Sequence, residues 1–306
     1  MAYFKLRWMP LHKISADAEP ALTSSKWVPS LTGILEFELL AQGLYRPDQL
    51  TIAYNPALRM PKTAAIADWM ESLWQEKLAL AKAQGTRLFD APLFRFISAQ
   101  TTGDQLTLTL GDTSYQEYVT TRVPEFALAH PRQNLGNALS VCSVIETSDE
   151  SILLEKRQGV DVYVGRFHVI GGFFERRLDT DQGEQPDPFA AMRREIREET
   201  GIQADDICDQ YCLGVVYDVT TPHAELCFLT RLHISLTEVH KRQPEDDEIQ
   251  HLLSLRITAE SLHAFLLDHH GNISATGEPN LILYGRWKFG VLWYEDLMKQ
   301  LTKQSG

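Results

Sequence analysis

The chain has no uninterrupted apolar run of about 18 residues, the length a membrane-spanning helix needs. Its opening, MAYFKLRWMPLHK, lacks the apolar core of a secretory signal. Cysteine is scarce, with four in 306 residues, which excludes a disulfide scaffold. Cys208 and Cys212 are neighbours, but not at the CxxC spacing of a zinc knuckle, and Cys142 and Cys227 stand apart. All four are expected to be small buried thiols in a reducing compartment. Positive charge is also short: 29 Lys and Arg against 41 Asp and Glu leave a net charge of −12. Duplex nucleic acid is a poor partner for such a surface, because neutralised phosphates supply most of that affinity. There is no internal repeat and no low-complexity tract. These absences point to a cytoplasmic enzyme that holds cations, with neither a membrane nor a nucleic acid as partner.

With 44% apolar and 23% charged residues, the chain is composed like a globular protein, and its length allows one large domain or two ordinary ones. Residues 31–55 alternate short apolar runs with Gly, Pro and Asn and read as strands or short helices with turns. Residues 63–85 predict a helix, capped by Thr63 and stopped by Gly85. A hairpin is expected across TTGD between 93–100 and 105–111. The stretch 124–137, with two prolines and a glycine, reads as a linker. Beyond it, 138–147 and 151–157 read as a second hairpin. Strands follow at 162–170, 211–219, 225–235 and 250–257, and helices at 188–200, 258–269 and 290–303. Interleaved strands and helices predict a layered α/β domain over residues 137–306. A smaller α+β domain is expected over residues 1–130.

The most informative stretch is 168–202, HVIGGFFERRLDTDQGEQPDPFAAMRREIREETGI. Asp187 and Pro188 form a helix start, and Gly201 fits its stop. At helical spacing Glu195, Glu198 and Glu199 share one arc, beside an apolar stripe of Phe189, Met192 and Ile196, with Arg193 and Arg197 on the far side. Like charges at these spacings each cost a helix about 0.2–0.5 kcal/mol. They also lie in the C-terminal half, where the helix dipole disfavours anions. A divalent-cation site would compensate, since Mg²⁺ takes carboxylate oxygens. A solvated acidic face is the alternative that spacing alone leaves open.

The run Arg194-Glu195-Ile196-Arg197-Glu198-Glu199-Thr200-Gly201-Ile202 resembles the second half of the Nudix box, and Gly171-Gly172 resembles the glycine loop that opens it. The resemblance implies an α/β/α sandwich that hydrolyses a nucleoside diphosphate linked to another group. It implies Glu195 and Glu199 as principal ligands of Mg²⁺, or of Mn²⁺ in its place, and Glu198 as a further ligand or base. Arg194 would orient a helix glutamate, and Gly171, Gly172 and Gly201 would shape the loop and the helix exit. The chain departs from the family upstream. Arg194 follows Gly172 by 22 positions, an insertion within ERRLDTDQGEQPDP. Glu184 therefore has no assigned role, and residues 176–186 are expected to form a surface loop. A downstream acid is expected in the cluster 245–248, with Glu248 the choice and Glu225 in reserve.

Outside the box, LFDAPLFRF (88–96), LGDTSYQEY (110–118), LILYGR (281–286) and the helix beginning at Trp74 are similar to segments of the UDP-glucose diphosphatase subgroup of Nudix proteins. That likeness implies cleavage of UDP-glucose or UDP-galactose, a small nucleotide-sugar substrate, to UMP and the sugar 1-phosphate. Substrate contacts would fall on Phe89 and Tyr115, and on Lys156, Asp161, His168, Phe173, Glu175 and Thr276. Phe89 and Tyr115 suit a uracil, since bases stack on aromatic rings. A pyrophosphatase for ADP-ribose and a nucleotide-sugar sensor without turnover are the competing readings.

Overall fold

A computed structural model describes residues 35–158, 162–180, 185–245 and 252–304. The first part holds β1 (Phe37–Tyr45), β2 (Leu50–Tyr54), α1 (Ala64–Ala83), β3 (Pro92–Thr102), β4 (Gln105–Ser114), α2 (Tyr115–Thr121) and α3 (Pro124–Ala127). The centre holds β5 (Leu139–Glu146), β6 (Ser151–Lys156), β7 (Phe167–His168), β8 (Ile170–Phe173), α4 (Pro188–Thr200), β9 (Ile207–Asp218) and β10 (His223–Leu232). The chain continues with α5 (Leu236–Val239), β11 (Leu252–Arg256), α6 (Ala259–Asp268), α7 (Gly277–Phe289) and α8 (Val291–Gln304).

An eight-stranded sheet in the order β1-β9-β10-β5-β6-β11 forms the middle layer, with β8 paired to β5 and β7 to β6. β10 and β5 run parallel; the other pairs are antiparallel. Alternate residues of each strand point to opposite faces. Leu139, Val141, Leu226 and Phe228 therefore meet Phe189, Met192 and Ile196 of α4 on one face. Cys142, Val144, Cys227 and Leu229 meet Leu262, Leu281, Leu297 and Leu301 of α6, α7 and α8 on the other. The result is an α/β/α sandwich. A three-stranded sheet, β2-β4-β3, packs Phe94, Leu106, Leu108 and Leu110 into the α4 side of the same core.

Helix α4 occupies the expected span, and the other expected helices begin or end within a residue or two of theirs. Four findings differ from the sequence reading. β5 and β6 touch at a single pair, Glu146 with Ile152, because β5 turns to pair with β8 and β6 with β7. That opening in the sheet is where Gly171, Gly172 and Phe173 sit. β1 joins the large sheet against β9, so the chain before residue 130 builds part of the layer assigned to residues 137–306. α7 was not expected: Gly277 to Gly285 are buried throughout, so the helix lacks the polar stripe that would mark it in sequence. Finally, Cys208 is exposed, while the other three thiols are buried.

The expected surface loop also needs correction. Asp179 is only 2% exposed. Its carbonyl accepts the Asp187 N–H at 2.9 Å, and Thr180 forms a β-bridge with Pro186. The segment is thus closed at its neck and tied to the start of α4.

Candidate active site

Helix α4 is fixed at both ends. Asp187 Oδ1 accepts the N–H groups of Phe189 and Ala190 at 3.0 and 2.9 Å, and Pro188 needs no partner for its nitrogen. Gly201 takes φ +73°, the left-handed stop. With the apolar stripe against the sheet, Glu195 and Glu199 are drawn inward, to 0% and 4% exposure. Glu198 lies at the border, its side chain 18% exposed. Arg193 and Arg197 point outward, to Gln210 and Glu245 at 3.1 and 3.0 Å.

The Glu195 carboxylate lies directly over Gly172. A Cβ on Gly172 would stand 2.5 Å from both carboxylate oxygens, so only glycine leaves them room. Arg194 spans the rest of the group. Its Nε and Nη2 donate to the two oxygens of Asp179, both at 2.7 Å. Nη1 donates to Glu195 Oε1 at 2.9 Å and Glu198 Oε2 at 3.1 Å, and Nη2 also donates to the Phe173 carbonyl at 3.1 Å. Burial works against the guanidinium charge, but Glu195, Asp179 and Glu198 outweigh it and hold Arg194 protonated. Part of the repulsion on this helix is thus relieved by its own arginine.

The carboxylates fit a hard divalent cation in kind. Among the described residues, no three acidic, histidine or cysteine side chains converge closely enough to hold an ion unaided. Mg²⁺ does not require that: it keeps several waters and usually binds one or two carboxylates together with substrate phosphates. Glu195, Glu198 and Glu199 therefore fit. The segment entering the 245–248 cluster packs on the same helix end, where the Glu245 N–H donates to the Glu198 carbonyl at 2.8 Å. Glu248 and Glu184 lie outside the described residues.

A second group lies beyond β8. The Phe173 ring meets Tyr115 at 5.7 Å and Tyr118 at 5.3 Å, and Tyr118 meets His223 at 5.6 Å. His223 Nε2 stands 3.8 Å from Glu225, and its Nδ1 stands 3.8 Å from Asp218. Burial alone would lower the His223 pKa; Tyr118, Glu225 and Asp218 instead raise it to about 10. Glu225, buried but beside His223 and facing His168 and Thr276, falls to about 2. His168, buried and near Arg157, is pushed down to about 3, with Nδ1 2.5 Å from Ser274 Oγ.

Tyr115, Phe173, His168 and Thr276, named separately from the sequence, are thus linked through Tyr118, His223 and Glu225. Glu175 is half-buried beside them, and its N–H donates to Asp179 at 2.8 Å. The remaining expected contacts are not drawn in. Phe89 is 40% exposed and lines a cleft of about 570 Å³ with Leu78, Lys82 and Arg87. Lys156 is exposed, with Nζ 5.8 Å from the Phe167 ring centre. Asp161 lies outside the described residues. Asp179, Tyr118, Asp218 and His223 were missed. Asp179 sits in a run of turn-forming residues that signals only a loop, and a buried acid–His–acid alignment across two paired strands leaves no mark in a single sequence.

The NUDIX domain family matches residues 136–273. Among solved structures, the chain is similar to a MutT NUDIX hydrolase from Burkholderia pseudomallei (20% identity, 47% of this chain and 94% of that one, TM-score 0.32). It is similar to an Ap4A hydrolase from C. elegans (15% identity, 50% and 98%, TM-score 0.32). It is also similar to a bifunctional NMN adenylyltransferase/ADP ribose pyrophosphatase from Francisella tularensis (14% identity, 54% and 44%, TM-score 0.37). No curated protein matches the chain. Residues 136–273, with Glu195, Glu198 and Glu199 on one helix arc and Gly172 beneath the first of them, are a NUDIX domain.

Proposed function

We propose that this Nudix pyrophosphatase hydrolyses the diphosphate of UDP-sugars, UDP-glucose and UDP-galactose, to UMP and the sugar 1-phosphate. The observation that carries the diphosphate half is the Glu195 carboxylate seated over Gly172 and ordered by Arg194. Glu195, Glu198 and Glu199 hold Mg²⁺, or Mn²⁺ in its place. When bound, the cation supplies positive charge against the diphosphate and acidifies the attacking water. Arg194 keeps Glu195 and Glu198 in place. Gly172 leaves room for the carboxylate. Glu198 or Glu199 takes the proton from the attacking water, and Glu248 is assigned as the downstream acid that completes the cation site.

The nucleotide-sugar half is supported by the second group of residues. Phe173, Tyr115 and Tyr118 bring aromatic rings next to the buried polar set His223, Glu225, His168 and Thr276. A base and a sugar need that pairing of flat apolar surface and fixed hydrogen-bonding groups. We assign the uracil to Tyr115, beside Phe173 and Tyr118; Phe89, which stands outside that cluster, is assigned to it on the subgroup likeness alone. Glu175, Lys156 and Asp161 are assigned to the diphosphate and sugar. Of residues 1–130, the part after β1 is assigned to substrate binding, while β1 belongs with the sheet of the hydrolase part, residues 137–306. Free thiols support a cytoplasmic setting.

The test is a panel of UDP-glucose, UDP-galactose, ADP-ribose, NADH and nucleoside triphosphates incubated with protein and Mg²⁺. UMP and hexose 1-phosphate released only from the UDP-sugars is the expected result. Rapid turnover of ADP-ribose with none of UDP-glucose would remove the UDP-sugar assignment. Tight UDP-glucose binding without product would make the protein a sensor. An unchanged KM for UDP-glucose in Phe89→Ala would take that ring out of the uracil site.

A further inference from the structure

We infer that Asp179, at the neck of the inserted segment, is a positioning residue that sets the glutamates of α4 through Arg194. The inference rests on Glu195, Glu198 and Glu199 being the cation-holding set. Four carboxylates, those of Asp179, Glu195, Glu198 and Glu199, lie on or against this helix, and one guanidinium serves three of them. Its five N–H donors have a fixed fork geometry. Asp179 takes the Nε–Nη2 edge in a bidentate pair, the arrangement that fixes a guanidinium plane as well as its position. That leaves Nη1 for Glu195 and Glu198, one oxygen of each. Asp179 thus limits how much of the glutamate charge Arg194 takes up.

The Asp179 carboxylate is built in. Its side chain is 1% exposed, and Oδ2 also accepts the Glu175 N–H at 2.8 Å. Its carbonyl holds the Asp187 N–H, so the same residue fixes the cap of α4. The bridge between Thr180 and Pro186 closes the neck immediately after it. The lengthened sequence between Gly172 and Arg194 therefore returns an acid to the guanidinium despite the insertion.

Without the Asp179 charge, the Nε–Nη2 edge is left buried and half-paired. The guanidinium then turns toward Glu195 and Glu198 and competes with a cation for their oxygens. Outer partners of a metal site typically change affinity by about 10–100-fold.

The test is Mn²⁺ binding without substrate, followed by electron paramagnetic resonance, on wild type, Asp179→Asn and Asp179→Glu, with turnover and thermal midpoint measured alongside. Asp179→Asn should fold, weaken Mn²⁺ about tenfold or more, and lower kcat with little change in KM. Asp179→Glu, which restores the charge, should recover much of both. A folded Asp179→Asn with wild-type Mn²⁺ affinity and kcat overturns the inference and leaves the cation site standing. A wild-type protein that binds no Mn²⁺ overturns both. Should Asp179→Asn not fold, Arg194→Lys reads the same link, because a point charge replaces the fork. Undiminished Mn²⁺ binding there would also overturn the inference.

Discussion

Replacing Gly172 with alanine tests the site with little disturbance of the chain. The backbone at Gly172 lies outside the left-handed region, so alanine meets no strain of its own there. Its methyl would instead stand 2.5 Å from Cδ and both oxygens of Glu195. Carbon contacts settle near 3.5 Å, so the carboxylate must retreat by about 1 Å. The Arg194–Glu195 bond, 2.9 Å long, would then pass beyond hydrogen-bonding length. Losing a hydrogen bond to a charged group costs about 1.5–3 kcal/mol, which sets the expected fall in stability. A misplacement of about 1 Å at a reacting centre costs on the order of 100-fold in rate. Gly172→Ala should therefore fold, melt several degrees lower, and turn over substrate about 100-fold more slowly. Mn²⁺ affinity, measured by paramagnetic resonance, should fall with it. Gly171→Ala provides the contrast, since its Cβ would run into the Val141 carbonyl and the Cys142 backbone within the sheet. That variant should fail to fold. Wild-type turnover and Mn²⁺ affinity in Gly172→Ala would refute the placement of Glu195 at the reacting centre.

Glu199→Gln should lower turnover by orders of magnitude and leave the thermal midpoint within a few degrees; an active variant would take Glu199 out of the cation set. Gly201→Ala should lose at least about 1–2 kcal/mol in urea unfolding, because φ is +73° and the new Cβ would meet the Gln243 backbone. His168 has a folded pKa of about 3 against 6.5 in the open chain, so the unfolded state takes the proton first. Its contribution is complete above pH 6.5 and is lost as the pH falls toward 3. Between pH 6.5 and 4.5 the protein should lose roughly 2–3 kcal/mol from this residue. His168→Gln should flatten that part of the stability profile; an unchanged profile would refute it.

The parts of this architecture written in local patterns could be read from sequence. Asp187, Pro188 and Gly201 delimit α4 by capping chemistry alone, and the glutamate arc follows from helical spacing. What remained hidden depends on contacts distant in sequence. Asp179 is a loop residue until Arg194, fifteen positions later, folds over it. α7 gives no periodic signal because its first nine residues, Gly277 to Gly285, are buried on every side. His223 lies between two acids, one before the turn and one on its own strand, and only pairing of β9 with β10 sets Asp218 beside it. The β7–β8 wedge escaped notice because 138–157 has the pattern of an ordinary hairpin, and nothing in the strand expected over 162–170 marks it as entering between the arms of that hairpin.

The pairing of β1 with β9 bears on how the protein can be divided. A fragment cut to residues 136–273 would keep the whole glutamate helix and lose the strand that covers β9. β9 would then present a row of unpaired amides and carbonyls over much of its length, a template for another chain. Asp218, opposite Phe37 and wholly buried, would meet water at that new border. Ala41 and Tyr45, both core residues of the α4 side, would leave their places vacant. Such a fragment would be prone to self-association, and it would also lack Tyr115 and Thr276 of the proposed substrate site, so any inactivity it showed would not count against Glu195, Glu198 and Glu199.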